Sequence, residues 1–195
     1  MAATPSRACR MVLDLLGKET DLLEMANVVG RANWNPYQRL MRLALIGAPL
    51  IPEGKSNEKT ASAAEEQDET GIERLIEERF DPLTDQIPTA DEIRTARKNG
   101  QILIWREKGR VAALLFFETT GFTSTIRYWA VGQEFESRGF GSSLLRTYLR
   151  IHATVKRFVL WVNEKNENAI QKYQRFGYQP DGLKDQILIK DFARA

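Results

Sequence analysis

Val111–Phe117 reads VAALLFF, seven consecutive apolar residues with no charge among them. A run this short is a strand buried on both faces rather than an amphipathic element. Such a strand needs strand neighbours and helices to cover it, and the residues from Thr70 onward supply both. Thr70 with Glu73, and Thr89 with Glu92, have the spacing of capping boxes. Ile72, Leu75, Ile76 and Phe80 form the stripe of the first helix. Asp81-Pro82 breaks that helix and Asn99-Gly100 ends the second. Strand-like runs follow at Ile102–Trp105, Val111–Phe117 and Thr125–Val131, with Lys108-Gly109 as the turn between the first two. The pattern then alternates: a helix on Leu144, Leu145, Tyr148 and Leu149, a strand Phe158–Val162, a helix on Ala169, Ile170, Tyr173 and Phe176, and a last strand Ile187–Ile189. The order predicts a layered α+β (α/β) fold.

Two regions precede this one. In residues 1–51, Met11, Val12, Leu15 and Leu16 recur at helical spacing, as do Leu22, Leu23, Ala26 and Val29. Asn35-Pro36 reads as a third helix start, with Tyr37, Leu40, Met41, Ala44 and Leu45 on one face and Gly47 and Pro49 beyond it. The expectation is a small helical extension, acting as a docking piece, a homodimerisation arm, a lid or a satellite of the sheet. Residues 52–69 carry no large apolar side chain and read as a polar linker, with room for a short strand near 60–64.

Composition excludes several classes. The net charge of +2, spread along the chain, is no footprint for nucleic acid. One cysteine, Cys9, and one histidine, His152, exclude a disulfide framework and any thiolate or His-rich metal cluster. No apolar run approaches the roughly 18–20 residues of a membrane span, and the first residues lack an export signal. The expectation is a reduced cytoplasmic protein that binds neither metal, membrane nor nucleic acid.

Between Val131 and the helix near Gly141 lies Gly132-Gln133-Glu134-Phe135-Glu136-Ser137-Arg138-Gly139-Phe140, a glycine-containing turn feeding a helix N-terminus. Unpaired N–H groups and the helix dipole suit such a turn to a phosphate or pyrophosphate. Two nucleotide fingerprints fail: position 144 is Leu where a Rossmann motif needs Gly, and Gly141 is followed by Ser142-Ser143 where a Walker loop needs Lys. Past one strand comes Asn166-Glu167-Asn168-Ala169-Ile170-Gln171-Lys172-Tyr173-Gln174-Arg175-Phe176-Gly177-Tyr178.

Together these two segments resemble the GNAT superfamily of N-acetyltransferases. Its acyl-CoA motif Q/R-x-x-G-x-G/A is met in its glycines by Glu136 through Gly141, and N-x-x-A-x-x-x-Y-x-x-x-G-F/Y by Asn166, Ala169, Tyr173, Gly177 and Tyr178. The likeness covers roughly residues 70–190 and implies a mixed, mostly antiparallel sheet with helices on both faces. It implies acetyl transfer from acetyl-CoA, as co-substrate and without metal, to a primary amine on a small molecule, an amino acid or a protein terminus, by direct attack in a ternary complex. Trp129, Ala130 and Val131 match the strand that pairs with pantetheine. Ser137, Arg138, Gly139, Phe140, Gly141 and Ser142 match the pyrophosphate turn, Asn166 a cofactor contact, and Tyr173 the acid that protonates the leaving thiolate. Two departures stand out. Glu136 replaces Gln or Arg and is expected to point away from the pyrophosphate. No residue matches the glutamate base of some relatives, which leaves Glu118, Asp81, Asp85 or a water, with Arg127 and Tyr128 beside the acceptor. The alternative is a non-catalytic acyl-CoA sensor or protein-interaction module on the same fold.

Overall fold

A computed structural model describes residues 9–52, 61–152 and 154–192. Eight strands form one sheet in the order β1-β8-β2-β7-β6-β5-β4-β3. In chain order these are β1 (Cys9–Gly17), β2 (Asn35–Ile46), β3 (Ser62–Ala63), β4 (Ile102–Glu107), β5 (Arg110–Thr120), β6 (Thr123–Val131), β7 (Arg157–Asn163) and β8 (Gln179–Phe192). All neighbours are antiparallel except β6 and β7. The helices are α1 (Glu19–Gly30), α2 (Glu69–Arg79), α3 (Ala90–Lys98), α4 (Phe140–Ile151) and α5 (Glu167–Arg175). None is long and apolar enough to cross a membrane.

The buried run is a central strand. Val111, Leu114 and Phe116 of β5 pack beneath α2 and α3 with Ile72, Leu75, Ile76, Ile93 and Ala96. Leu115 and Phe117 pack on the opposite face with Leu144, Leu145 and Tyr148 of α4, Tyr173 of α5 and Phe176 just after it. The Lys108-Gly109 turn forms with both residues at positive φ, as a tight hairpin requires.

The first fifty residues correct the sequence reading. Among the described residues there, only α1 is helical; the stretches read as the first and third helices are the strands β1 and β2. β2 lies inside the sheet, paired with β7 through Leu40–Ile46 and with β8 on its other edge. Its apolar residues therefore serve opposite faces: Leu43 and Leu45 join the α4/α5 core, while Ala44 is buried on the other side. Paired apolar residues at 40–41 and 44–45 fit a helical stripe and a doubly covered strand equally well, and pairing partners distant in sequence decide. Nor is this part an extension apart from the sheet. Of the stretch 52–69 read as a linker, 53–60 lies outside the described residues, and 61–69 is structured: β3 where a short strand was expected, a 3-10 turn at Glu66–Asp68 and the start of α2. The Thr89/Glu92 capping box forms, whereas Thr70 lies inside α2 and caps nothing; the box upstream joins Glu65 and Asp68.

Candidate active site

The sheet opens between β6 and β7. They pair only from Thr123↔Arg157 to Ile126↔Leu160, yet β6 continues to Val131 and β7 to Asn163. A β-bulge marks the parting: Phe117 pairs with Ile126 and Phe116 with Tyr128, leaving Arg127 as the extra residue. The β6 edge beyond it keeps backbone groups with no strand beside them. Trp129, Ala130 and Val131 all lie on this free stretch.

At its end the chain turns into α4. Ser137 (φ 64°) and Gly139 (φ 86°) adopt left-handed conformations, and Gly139 is the N-cap. The first turn-closing bond of α4 is Ser143 N–H to the Gly139 carbonyl at 3.0 Å. The N–H groups of Phe140, Gly141 and Ser142 therefore precede the helical ladder and concentrate donors where the dipole is positive. Gly141 is needed for close approach: a Cβ there would stand 3.0 Å from Trp129 and 3.1 Å from Val131. Trp129 Nε1 donates to the Gly141 carbonyl at 3.1 Å, fixing strand to helix. Phe140 stacks on Trp105 at 4.7 Å, and the Arg138 guanidinium lies 5.5 Å above the Phe135 ring. Glu136 is drawn to Arg79 of α2 at 2.6 Å, so its charge is neutralised away from the turn.

Across the gap, the Tyr173 ring packs 4.8 Å from Trp129 and 5.6 Å from Tyr178. Burial, and secondarily Tyr148, pushes the Tyr173 phenol well above its ordinary pKa, with no hydrogen bond to its hydroxyl among the described residues. Asn166 caps α5, its Oδ1 accepting the Ala169 N–H at 3.1 Å. His152 is structural: Nδ1 lies 2.8 Å from the Tyr148 carbonyl and its ring meets Phe117 edge-on.

The three carboxylates expected near the acceptor differ sharply. Glu118 is bound to Arg127 at 2.9 Å. Asp81 has both oxygens engaged, Oδ1 with the Leu83 N–H at 2.9 Å and Oδ2 with the Tyr37 hydroxyl at 2.6 Å. Asp85 Oδ2 accepts the Asp81 N–H at 2.9 Å, and burial raises its pKa above the usual carboxylate value against the opposing pull of the Asp81 N–H and the Thr84 hydroxyl. The Tyr128 hydroxyl donates to the Gln86 carbonyl, tying this loop to β6 just past the bulge. Beside it a cavity of about 440 Å³ opens between α3 and the β5/β6 pair, walled by Gln86, Thr95, Glu118, Arg127 and Tyr128. Two features escaped sequence reasoning. Tyr37 was assigned to a helix, and Arg42, 5.8 Å over the Trp161 ring and bonded to Asp181 at 2.7 Å, carries no motif.

Residues 65–178 match the model of the Acetyltransferase (GNAT) family. No curated protein matches the chain in sequence. Among solved structures, a GCN5-related N-acetyltransferase from Sphaerobacter thermophilus superposes with a TM-score of 0.74 at 18% identity, covering 99% of this chain and 63% of that one. The chain thus spans under two thirds of that protein's length. A GCN5-related N-acetyltransferase from Kribbella flavida gives 0.61 at 14% identity, over 91% of this chain and 68% of that one. The ribosomal-protein-S18-alanine N-acetyltransferase from Escherichia coli gives 0.52 at 18%, over 70% of this chain and 95% of that one. At these identities the likeness is one of fold, and the family match carries the assignment. With 114 consecutive residues matched, spanning the turn and the Asn166–Tyr178 segment, the chain belongs to the GNAT family of acetyltransferases.

Proposed function

We propose that this chain transfers an acetyl group from acetyl-CoA to a primary amine by direct attack, with Tyr173 as general acid. The observation that carries the reading is the conjunction of the unpaired β6 edge, the open N–H groups of Phe140, Gly141 and Ser142, and the Tyr173 phenol beside Trp129. Acetyl-CoA brings an acyl thioester. The turn from Ser137 to Ser142 holds its pyrophosphate, the β6 edge from Trp129 to Val131 pairs with its pantetheine amides, and Asn166 adds a contact. As the C–N bond forms and the C–S bond breaks, Tyr173 gives its proton to the departing sulfur and is reprotonated from solvent. Among the described residues no side chain in the gap is an activated nucleophile, so no acyl-enzyme is needed.

Asp85 is the base this arrangement favours, because Asp81 and Glu118 are held by other partners. It receives the amine proton directly or through a water. Asp85 must then be ionised for turnover, so kcat/KM rises with pH through a pKa above the ordinary carboxylate value and levels off. Asp85→Asn should remove that inflection and lower kcat by about 10²-fold. The stability sign is opposite. A raised folded pKa means the stabilising proton is lost as pH rises through it, so the ionised form weakens the fold near neutrality. Asp85→Asn should therefore melt no lower than the parent at pH 7, which separates lost catalysis from lost folding.

Gly141→Val tests the turn. The added side chain collides with Trp129 and Val131 and lifts α4 from β6. Acetyl-CoA affinity by calorimetry should fall roughly 10- to 100-fold, the effect of about 1–3 kcal/mol of overpacking. The reading itself is tested by thiol release from acetyl-CoA on adding an amine panel. Amine-dependent release supports it. Tight acetyl-CoA binding with no release for any amine or peptide N-terminus would point to a sensor instead.

A further inference from the structure

Beyond Ile126 and Leu160 the sheet is two diverging halves. On one side β2 carries the structure onward, since Asn35–Arg39 extends past Asn163, the last residue of β7. On the other side, α2 packs on Tyr128 and Ala130, and the α2–α3 loop is tied to β6 through Gln86. A side-chain bond crosses between the halves: the Tyr37 hydroxyl donates to Asp81 Oδ2 at 2.6 Å.

Both ends of this bond are built for it. Pro36 pairs with Leu188 and Gln38 with Ile187, so Tyr37 is the extra residue of a β-bulge, a device that re-aims a side chain out of the pleat. Tyr37 is 40% exposed and belongs to neither core. The Asp81 carboxylate is fixed in place by the Leu83 N–H, while the Asp81 N–H is held by Asp85 and the Asp81 carbonyl accepts the Asp85 N–H at 2.7 Å. Tyr37 thus meets a preorganised acceptor in the same turn that carries Asp85.

We infer that the Tyr37–Asp81 pair is a strap over the α2/α3 side of the gap, making Tyr37, supplied by β2, a positioning residue for the amine. The inference rests on the acyl transfer proposed above. It gives residues outside the segment matched by the family model a role in acceptor binding that leaves acetyl-CoA binding untouched.

The test uses the full chain with Tyr37→Phe, Asp81→Asn and the double variant, read by amide hydrogen exchange over residues 80–88 with residues 137–143 as internal control. Each single variant should speed exchange over 80–88 roughly three- to tenfold, the range for a partly exposed hydrogen bond to a carboxylate. The double variant should add nothing, since both changes break one interaction. Exchange over 137–143 should not move. With an amine that the parent acetylates, KM for the amine should rise by a similar factor while KM for acetyl-CoA stays flat. Unchanged exchange over 80–88 in folded Tyr37→Phe, or additive effects in the double variant, would overturn the strap. Faster exchange with an unchanged amine KM would overturn the positioning role. If Tyr37→Phe does not fold, Asp81→Asn carries the same comparison, since its amide oxygen still accepts the Leu83 N–H. A parent that binds acetyl-CoA but releases no thiol on adding any amine refutes the transferase reading, and the exchange data still decide whether the strap exists.

Discussion

Tyr173→Phe should lower kcat by about 10²- to 10⁴-fold, the contribution of one well-placed general acid, with acetyl-CoA affinity preserved. The substitution removes a single oxygen. The ring contacts with Trp129 and Tyr178 remain, and no hydrogen bond within the described residues is lost with the hydroxyl. The melting temperature should accordingly stay close to that of the parent. The raised phenol pKa works in the same direction: Tyr173 holds its proton beyond pH ~10, where a free phenol loses it. The rate should therefore show no tyrosine-driven decline below that pH. Single-turnover thiol release, measured with a saturating amine, separates this effect from binding. An unchanged kcat would remove Tyr173 from the chemistry and reduce it to packing.

Removing residues 1–50 should abolish folding rather than trim an accessory. The cut deletes β1 and β2, so β8 loses the strands on both of its edges and β7 keeps only β6. It also removes Leu43 and Leu45, 0% and 2% exposed in the α4/α5 core. Burial of two leucines is worth about 3–6 kcal/mol, against a typical domain stability of about 5–15 kcal/mol. The backbone left unpaired along β8 and on one edge of β7 adds to the loss. Circular dichroism and a urea melt of the shortened chain should show no cooperative transition. A shortened chain that melts cooperatively near the parent's midpoint would show β2 to be dispensable.

What could be read from the sequence followed from how local each signal is. The VAALLFF strand, the Lys108-Gly109 hairpin, the Thr89 cap and the glycines of the turn each depend on a few adjacent residues, and each forms as their chemistry requires. The Asn166–Tyr178 segment was legible as a motif, and Asn166 does cap α5. β1 and β2 were not legible, because their pairing partners in β7 and β8 lie more than 100 residues away and their apolar pairs fit a helix as well. The choice among acid groups was hidden for the same reason. Asp81 is taken by Tyr37, 44 residues distant, and Glu118 by Arg127 across a hairpin, so only the folded arrangement distinguishes Asp85. The strap at Tyr37 depends on a bulge, a feature of register with no residue signature of its own.

The central claim is that acetyl-CoA lies in the β6/β7 gap with its pyrophosphate on the turn before α4. Amide hydrogen exchange of the parent protein, with and without saturating acetyl-CoA, tests it most directly. Protection should concentrate at residues 129–131 and 137–143, where the free strand edge and the open helix N–H groups lie. Binding that leaves both segments unprotected, or protection confined to β1 and α1, would contradict the account.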